Sequence, residues 1–104
     1  MRSLSVVLGK PYARVFTDLM EIGQLMWAYP NHDKVWIWYA EDQGLIKRKP
    51  PRDDNGKLIK LKDWDYKGVA IVRNSGHLTA VEQGYLIDTW DCRYRPVNSY
   101  WERI

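Results

Sequence analysis

Cysteine is nearly absent: Cys92 is the only one among 104 residues. A single thiol excludes an internal disulfide and any cysteine-rich zinc centre. Histidine is almost as scarce, with His32 beside Asp33 and His77 far along the chain. No i,i+4 or Cys-x-x-Cys spacing gathers metal ligands, so no metal and no cofactor are expected. Apolar runs are only a few residues long, whereas a membrane span needs ~20. No secretory signal pattern is found at Met1-Arg2-Ser3-Leu4, and a reduced, cytoplasmic setting is the expectation. Internal repeats and low-complexity segments are lacking too. At this length a single domain over residues 1–104 is expected.

What is abundant is aromatic: six Trp and seven Tyr with one Phe. Some rings must fill the core. Partner-facing surfaces are also enriched in Trp and Tyr, so the surplus points to binding as well as to packing.

Positive charge is concentrated rather than general. Lys47, Arg48, Lys49, Arg52, Lys57, Lys60 and Lys62 stand against Asp53 and Asp54, which makes the 47–62 stretch +5. The whole chain is +3, so the remainder is −2. Pro50-Pro51 and Asp53-Asp54-Asn55-Gly56 interrupt the stretch, which reads as a solvated connection, with a phosphate-binding patch as the alternative.

Periodicity divides the chain once. Residues 3–8 form a short apolar helix ended by Gly9, and Pro11 suits the first turn of the next. Val15, Phe16, Leu19, Met20, Ile22 and Met26 recur at spacings of three and four and make one apolar face, ended by Pro30. Asn31 is placed to cap a third helix with Val35, Trp38 and Tyr39 inward, Trp36 outside and Gly44 at its stop. Strand patterns follow: Leu45–Arg48 as an edge strand, an Asn55-Gly56 turn joining it to Leu58–Leu61, then 69–73, 77–82, 85–90 and 97–102. This order, helices over 1–44 and mainly antiparallel sheet over 45–104, is α+β. The expected core contains Val7, Phe16, Leu19, Met20, Val35, Ile71, Ala80 and Ile87.

If Gln83-Gly84 is a two-residue turn, counting outward pairs Glu82 with Tyr85, Val81 with Leu86, Ala80 with Ile87 and Thr79 with Asp88. His77 then lies diagonal to Asp88 on the same face, within imidazole–carboxylate reach. A carboxylate on Nδ1 would leave Nε2 free as a base; a structural hydrogen bond is the other use of such a pair.

Gly76-His77-Leu78-Thr79-Ala80-Val81, then Gly84, then Asp88-Thr89-Trp90-Asp91 resembles small phage-encoded and bacterial members of the papain-like thiol hydrolases. Arg2-Ser3-Leu4-Ser5-Val6 and Gly9-Lys10-Pro11-Tyr12 look like the first helices of that family, and Tyr100-Trp101 like its closing strand. The resemblance implies a minimal papain-like fold with His77 as base and Asp88 as its orienter. It also implies a nucleophilic cysteine at the start of the first helix, where the helix terminus and the histidine lower its pKa. By this alignment that cysteine falls before Met1; Arg2 and Ser3 stand at the helix start, and Cys92 follows Asp88 on the wrong side of the hairpin.

Three functional readings follow. The first is a papain-like protein of phage origin, without its nucleophile, that binds and perturbs a host protein. The second is a thiol peptidase or amidase whose true start lies upstream. The third is a single-stranded nucleic-acid binder. Binding residues expected on the surface are Trp36, Trp90, Trp101, Lys47, Arg48 and Lys49.

Overall fold

Three helices come first. α1 (Arg2–Leu8) stops at Gly9, which takes φ +66°, and α2 (Tyr12–Met26) starts directly after Pro11. α3 spans Asp33–Asp42. A computed structural model describes residues 2–74, 77–87 and 92–104. Five strands follow the helices: β1 (Ile46–Arg48), β2 (Val69–Asn74), β3 (His77–Glu82), β4 (Tyr85–Ile87) and β5 (Ser99–Arg103). They form one antiparallel sheet in the order β1-β5-β2-β3-β4. The α+β class is as the sequence pattern implies. No helix among the described residues is long and apolar enough to cross a membrane.

The β3–β4 register is the one obtained by counting: Glu82 opposite Tyr85, Val81 opposite Leu86, Ala80 opposite Ile87. Gln83 (φ +51°) and Gly84 (φ +86°) both take the left-handed conformation that a two-residue hairpin turn requires. β1 is an edge strand, but its partner is β5. The Asn55-Gly56 turn closes a smaller loop whose only bridge is Arg52 to Leu58. There Asp53 accepts from the backbone N–H groups of Asn55 and Lys57 at 2.9 Å each. Residues 58–61 are not a strand, and Leu61–Asp63 is a 3₁₀ turn.

Two cores lie on opposite faces of the sheet. On one face, Leu4, Val7, Val15, Leu19, Val35, Trp36, Tyr39, Ala40 and Leu45 pack with Ile71, Ala80 and Trp101. On the other, Leu61, Val72, Val81, Cys92 and Val97 pack together, with Trp64, Tyr66, Leu86 and Tyr100 against them. This second layer has almost no regular structure. Its rings hold it: Trp64 stacks on Tyr66 at 4.4 Å, and both meet Tyr100 edge-on.

Several expected core positions are corrected. Phe16 and Met20 are exposed, because α2 packs on α1 and α3 along the narrower line Val15, Leu19, Gly23. One residue on from that line, a side chain lies ~100° around the helix. Ile87 is exposed because β4 is a sheet edge, beyond the reach of α1 over β2 and β3. α3 is turned relative to expectation: Val35, Trp36, Tyr39 and Ala40 face inward and Trp38 is half exposed. Asp33 accepts from Trp36 Nε1 at 3.0 Å within the helix and pairs with Arg73 of β2 at 2.8 Å, which turns this side of α3 toward the sheet. The cap of α3 is His32, whose Nδ1 accepts from the Lys34 N–H, rather than Asn31.

Candidate functional site

His77 opens β3 opposite Asn74. Strand alternation puts it on the face of Thr79 and Val81, while Leu78 and Ala80 face α1. The first turn of α1 nevertheless reaches this strand: Ser3 Oγ lies 3.5 Å from the Leu78 carbonyl oxygen. Beside His77, the buried Asn74 amide and the buried Thr79 hydroxyl have no hydrogen-bond partner. Asp88 and Trp90 lie outside the described residues. Cys92 is fully buried in the core on the side away from α1.

Trp36 and Trp101 are corrected from surface residues to core residues, 2 % and 1 % exposed. Their rings meet edge-to-face at 4.8 Å and 76°. Both are needed to fill the space between α3 and strand β5, which lies between β1 and β2.

Lys47, Arg48 and Lys49 are exposed and are brought together with Arg73, Asn98 and Ser99 around a groove of about 670 Å³. Arg48 Nε donates to Glu102 Oε1 at 2.6 Å, and Tyr66 donates to Glu102 Oε2 at 3.0 Å. The Arg48 hydrogen bond, with Tyr66 adding to it, holds the Glu102 carboxyl below its ordinary value of 4.5. Burial first, and then the bond to Glu102, pushes the Tyr66 hydroxyl up from its ordinary 10.0. Burial and the bond to Asp18 (2.8 Å) do the same to Tyr39. Linkage sets the pH dependence of stability. The depressed Glu102 contributes stability that is complete above pH 4.5 and is lost as pH falls through its lower folded value. The raised tyrosines contribute stability that is complete below pH 10 and is lost as pH rises toward their folded values. Urea midpoints measured across pH should therefore fall at both ends. Glu102→Gln should flatten the acid limb and Tyr39→Phe the alkaline one; unchanged limbs in these variants would contradict the assignment.

One surface was not legible in the sequence. After Met26 the chain turns back on α2: the Trp27 N–H donates to the Gln24 carbonyl and the Ala28 N–H to the Gly23 carbonyl. This is a Schellman closure with tryptophan in the left-handed position, φ 56° and ψ 44°, where glycine is the usual residue. Trp27 is 95 % exposed, Leu25 82 % and Tyr29 80 %. Trp27 and Tyr29, with Met20, Gly23, Gln24, Ala28 and Pro30, line a groove of about 580 Å³. The available signal was negative: no glycine stands between Met26 and Pro30 to end the helix.

Among the described residues no group of three or more His, Cys, Asp or Glu is placed to hold a metal ion. No family model matches the chain, and neither a curated protein nor a solved structure matches it significantly.

Proposed function

We propose that this chain is a papain-like scaffold of phage origin that works by binding, with a host protein as its partner. The observation that carries the reading is Trp27. A non-glycine residue in the left-handed region costs roughly 1 kcal/mol or more, and this one returns almost no burial, since its ring stands in solvent. Strain retained at an exposed aromatic is the mark of a side chain kept for what it touches. Leu25, Tyr29 and the adjoining apolar groove extend the same surface. Within these 104 residues the start of α1 offers Arg2 and Ser3, and the only thiol is sealed in the opposite core. Hydrolysis by this arrangement needs a thiolate within hydrogen-bond reach of the histidine.

The test is a titration. The host protein captured by the wild-type chain is purified and its affinity measured for two variants. Trp27→Ser/Tyr29→Ser should weaken it by about 30-fold or more, the loss typical of a tryptophan anchor. His77→Ala should leave it unchanged. Equal affinity of the double variant, or peptide hydrolysis that a thiol reagent abolishes, would overturn the reading.

A second reading, a thiol peptidase or amidase, is favoured by one cluster. Among the described residues, Asn74 on β2 and Thr79 on β3 keep buried polar groups without partners on the face of His77, while the first turn of α1 touches β3 at Leu78, whose side chain is on the other face. Such groups are costly unless used. Extending the chain upstream with a cysteine before Met1 should create hydrolysis dependent on His77 and Asp88 if this reading holds; an inert extended protein would dismiss it.

A further inference from the structure

We propose that the groove at the end of β1, β5 and β2 is a phosphate-backbone site that takes a single strand of nucleic acid. Long-range pairing assembles it. Lys47 pairs with Trp101, and Ser99 pairs with Arg73, so the three polar positions run across neighbouring strands on the helix-side face. Arg48 and Lys49 follow Lys47 at the rim, and Asn98 and Pro50 complete the lining. Among the described residues no carboxylate lines the groove. The volume, about 670 Å³, is in the range of small-molecule and cofactor sites (~300–1,000 Å³).

The cations are available. No carboxylate among the described residues lies within 4.0 Å of Lys47 or Lys49. Arg48 contacts Glu102 through Nε, and Arg73 contacts Asp33 through one terminal nitrogen at 2.8 Å. A guanidinium has five N–H donors, so each retains capacity for an anion. The Lys47 ammonium lies 5.5 Å from the centre of the buried Trp101 ring, a cation–π contact that orders its side chain over the sheet.

A strand fits better than an isolated phosphate. Four cations are spread along one open groove rather than converging on a point. The same basic segment continues to Lys57, Lys60 and Lys62, which line a second hollow of about 460 Å³ together with Asp53 and Asp63, three cations against two carboxylates. Repeated charge of this kind follows a phosphodiester backbone. Among the described residues no aromatic ring lines the groove, so no base stacking is invoked and binding should be nearly indifferent to sequence. The site shares no residue with the Trp27 surface, and either can fail without the other.

The experiment is fluorescence anisotropy with labelled twelve-nucleotide oligothymidylate and oligouridylate between about 50 and 200 mM NaCl. Four phosphate contacts predict a slope of log K against log salt of about −3, from roughly −0.7 per phosphate on a single strand. Lys47→Gln/Lys49→Gln should lose two contacts and reduce the slope by about 1.4, with unchanged thermal unfolding. The charge-matched variant Arg14→Gln/Lys67→Gln, away from the groove, should keep the wild-type slope. No binding at the lowest salt would overturn the proposal. So would a wild-type slope in Lys47→Gln/Lys49→Gln, or a loss as large in the control. Full displacement of the strand by inorganic phosphate at matched ionic strength would overturn it too, by showing a point anion site.

Discussion

Replacing Trp101 by alanine should lower the free energy of unfolding by about 3–5 kcal/mol, and Trp36→Ala should do nearly the same. Both indoles are almost wholly buried, and their rings meet at 4.8 Å between α3 and strand β5. Truncation removes a large apolar surface and leaves a cavity between α3 and the sheet, and the Asp33–Arg73 ion pair at 2.8 Å ties the start of α3 to β2. Small domains have only ~5–15 kcal/mol in total, so either variant should be partly unfolded at physiological temperature. The double variant should lose less than the sum, because the two rings share one contact worth about 0.5–1.5 kcal/mol. Trp101→Phe should be milder than Trp101→Ala, since Trp101 Nε1 has no hydrogen-bond partner to forfeit. Urea titrations followed by circular dichroism measure all four. A loss under about 1 kcal/mol for Trp101→Ala would contradict its place in the core.

Gly23→Ala should also destabilise, although alanine is the better helix former by about 1 kcal/mol. A Cβ at Gly23 would stand 2.6 Å from the Ala28 carbonyl oxygen, and that neighbour is backbone. The turn that closes α2 must shift to admit it, and overpacking of this kind costs about 1–3 kcal/mol. The segment displaced is the one that carries Trp27 and Tyr29. Gly23→Ala should therefore weaken partner binding as well as lower the urea midpoint. A more stable Gly23→Ala protein with full affinity would mean that the turn is looser than its close approach implies.

How far the sequence carries the account depends on the range of each interaction. The β3–β4 register was legible because Gln83-Gly84 permits only a short turn and a period of two leaves no other pairing. The place of β5 between β1 and β2 was not legible, since Trp101 meets Lys47 and Ile71 across long stretches of chain. The rotation of α3 was ambiguous for a different reason. Trp36, Trp38 and Tyr39 surround the helix with rings, so periodicity could not choose the buried set; contacts to the sheet, Trp36 on Trp101 and Asp33 on Arg73, go with the observed one. With Trp36 inward, the exposed tryptophans among the described residues are Trp27 and Trp38. The core formed by Leu61, Val72, Val81, Cys92 and Val97 escaped because its outer layer is loop, which has no period to read. Of the candidate binding residues, Lys47, Arg48 and Lys49 were readable as a charge cluster. Arg73, which completes their groove, joins only through the sheet.

The most direct test of the binding reading is Trp27→Gly, measured for stability and for partner affinity in the same preparation. Glycine relieves the left-handed backbone at φ 56° and gives up almost no buried surface. Unfolding free energy should therefore rise by about 0.5–1 kcal/mol, while affinity for the proposed partner falls by about 30-fold or more. Opposite signs in the two measurements would mark a residue kept for its contacts at the expense of the fold. A Trp27→Gly protein that binds as tightly as wild type would contradict the claim that this surface is where the chain works.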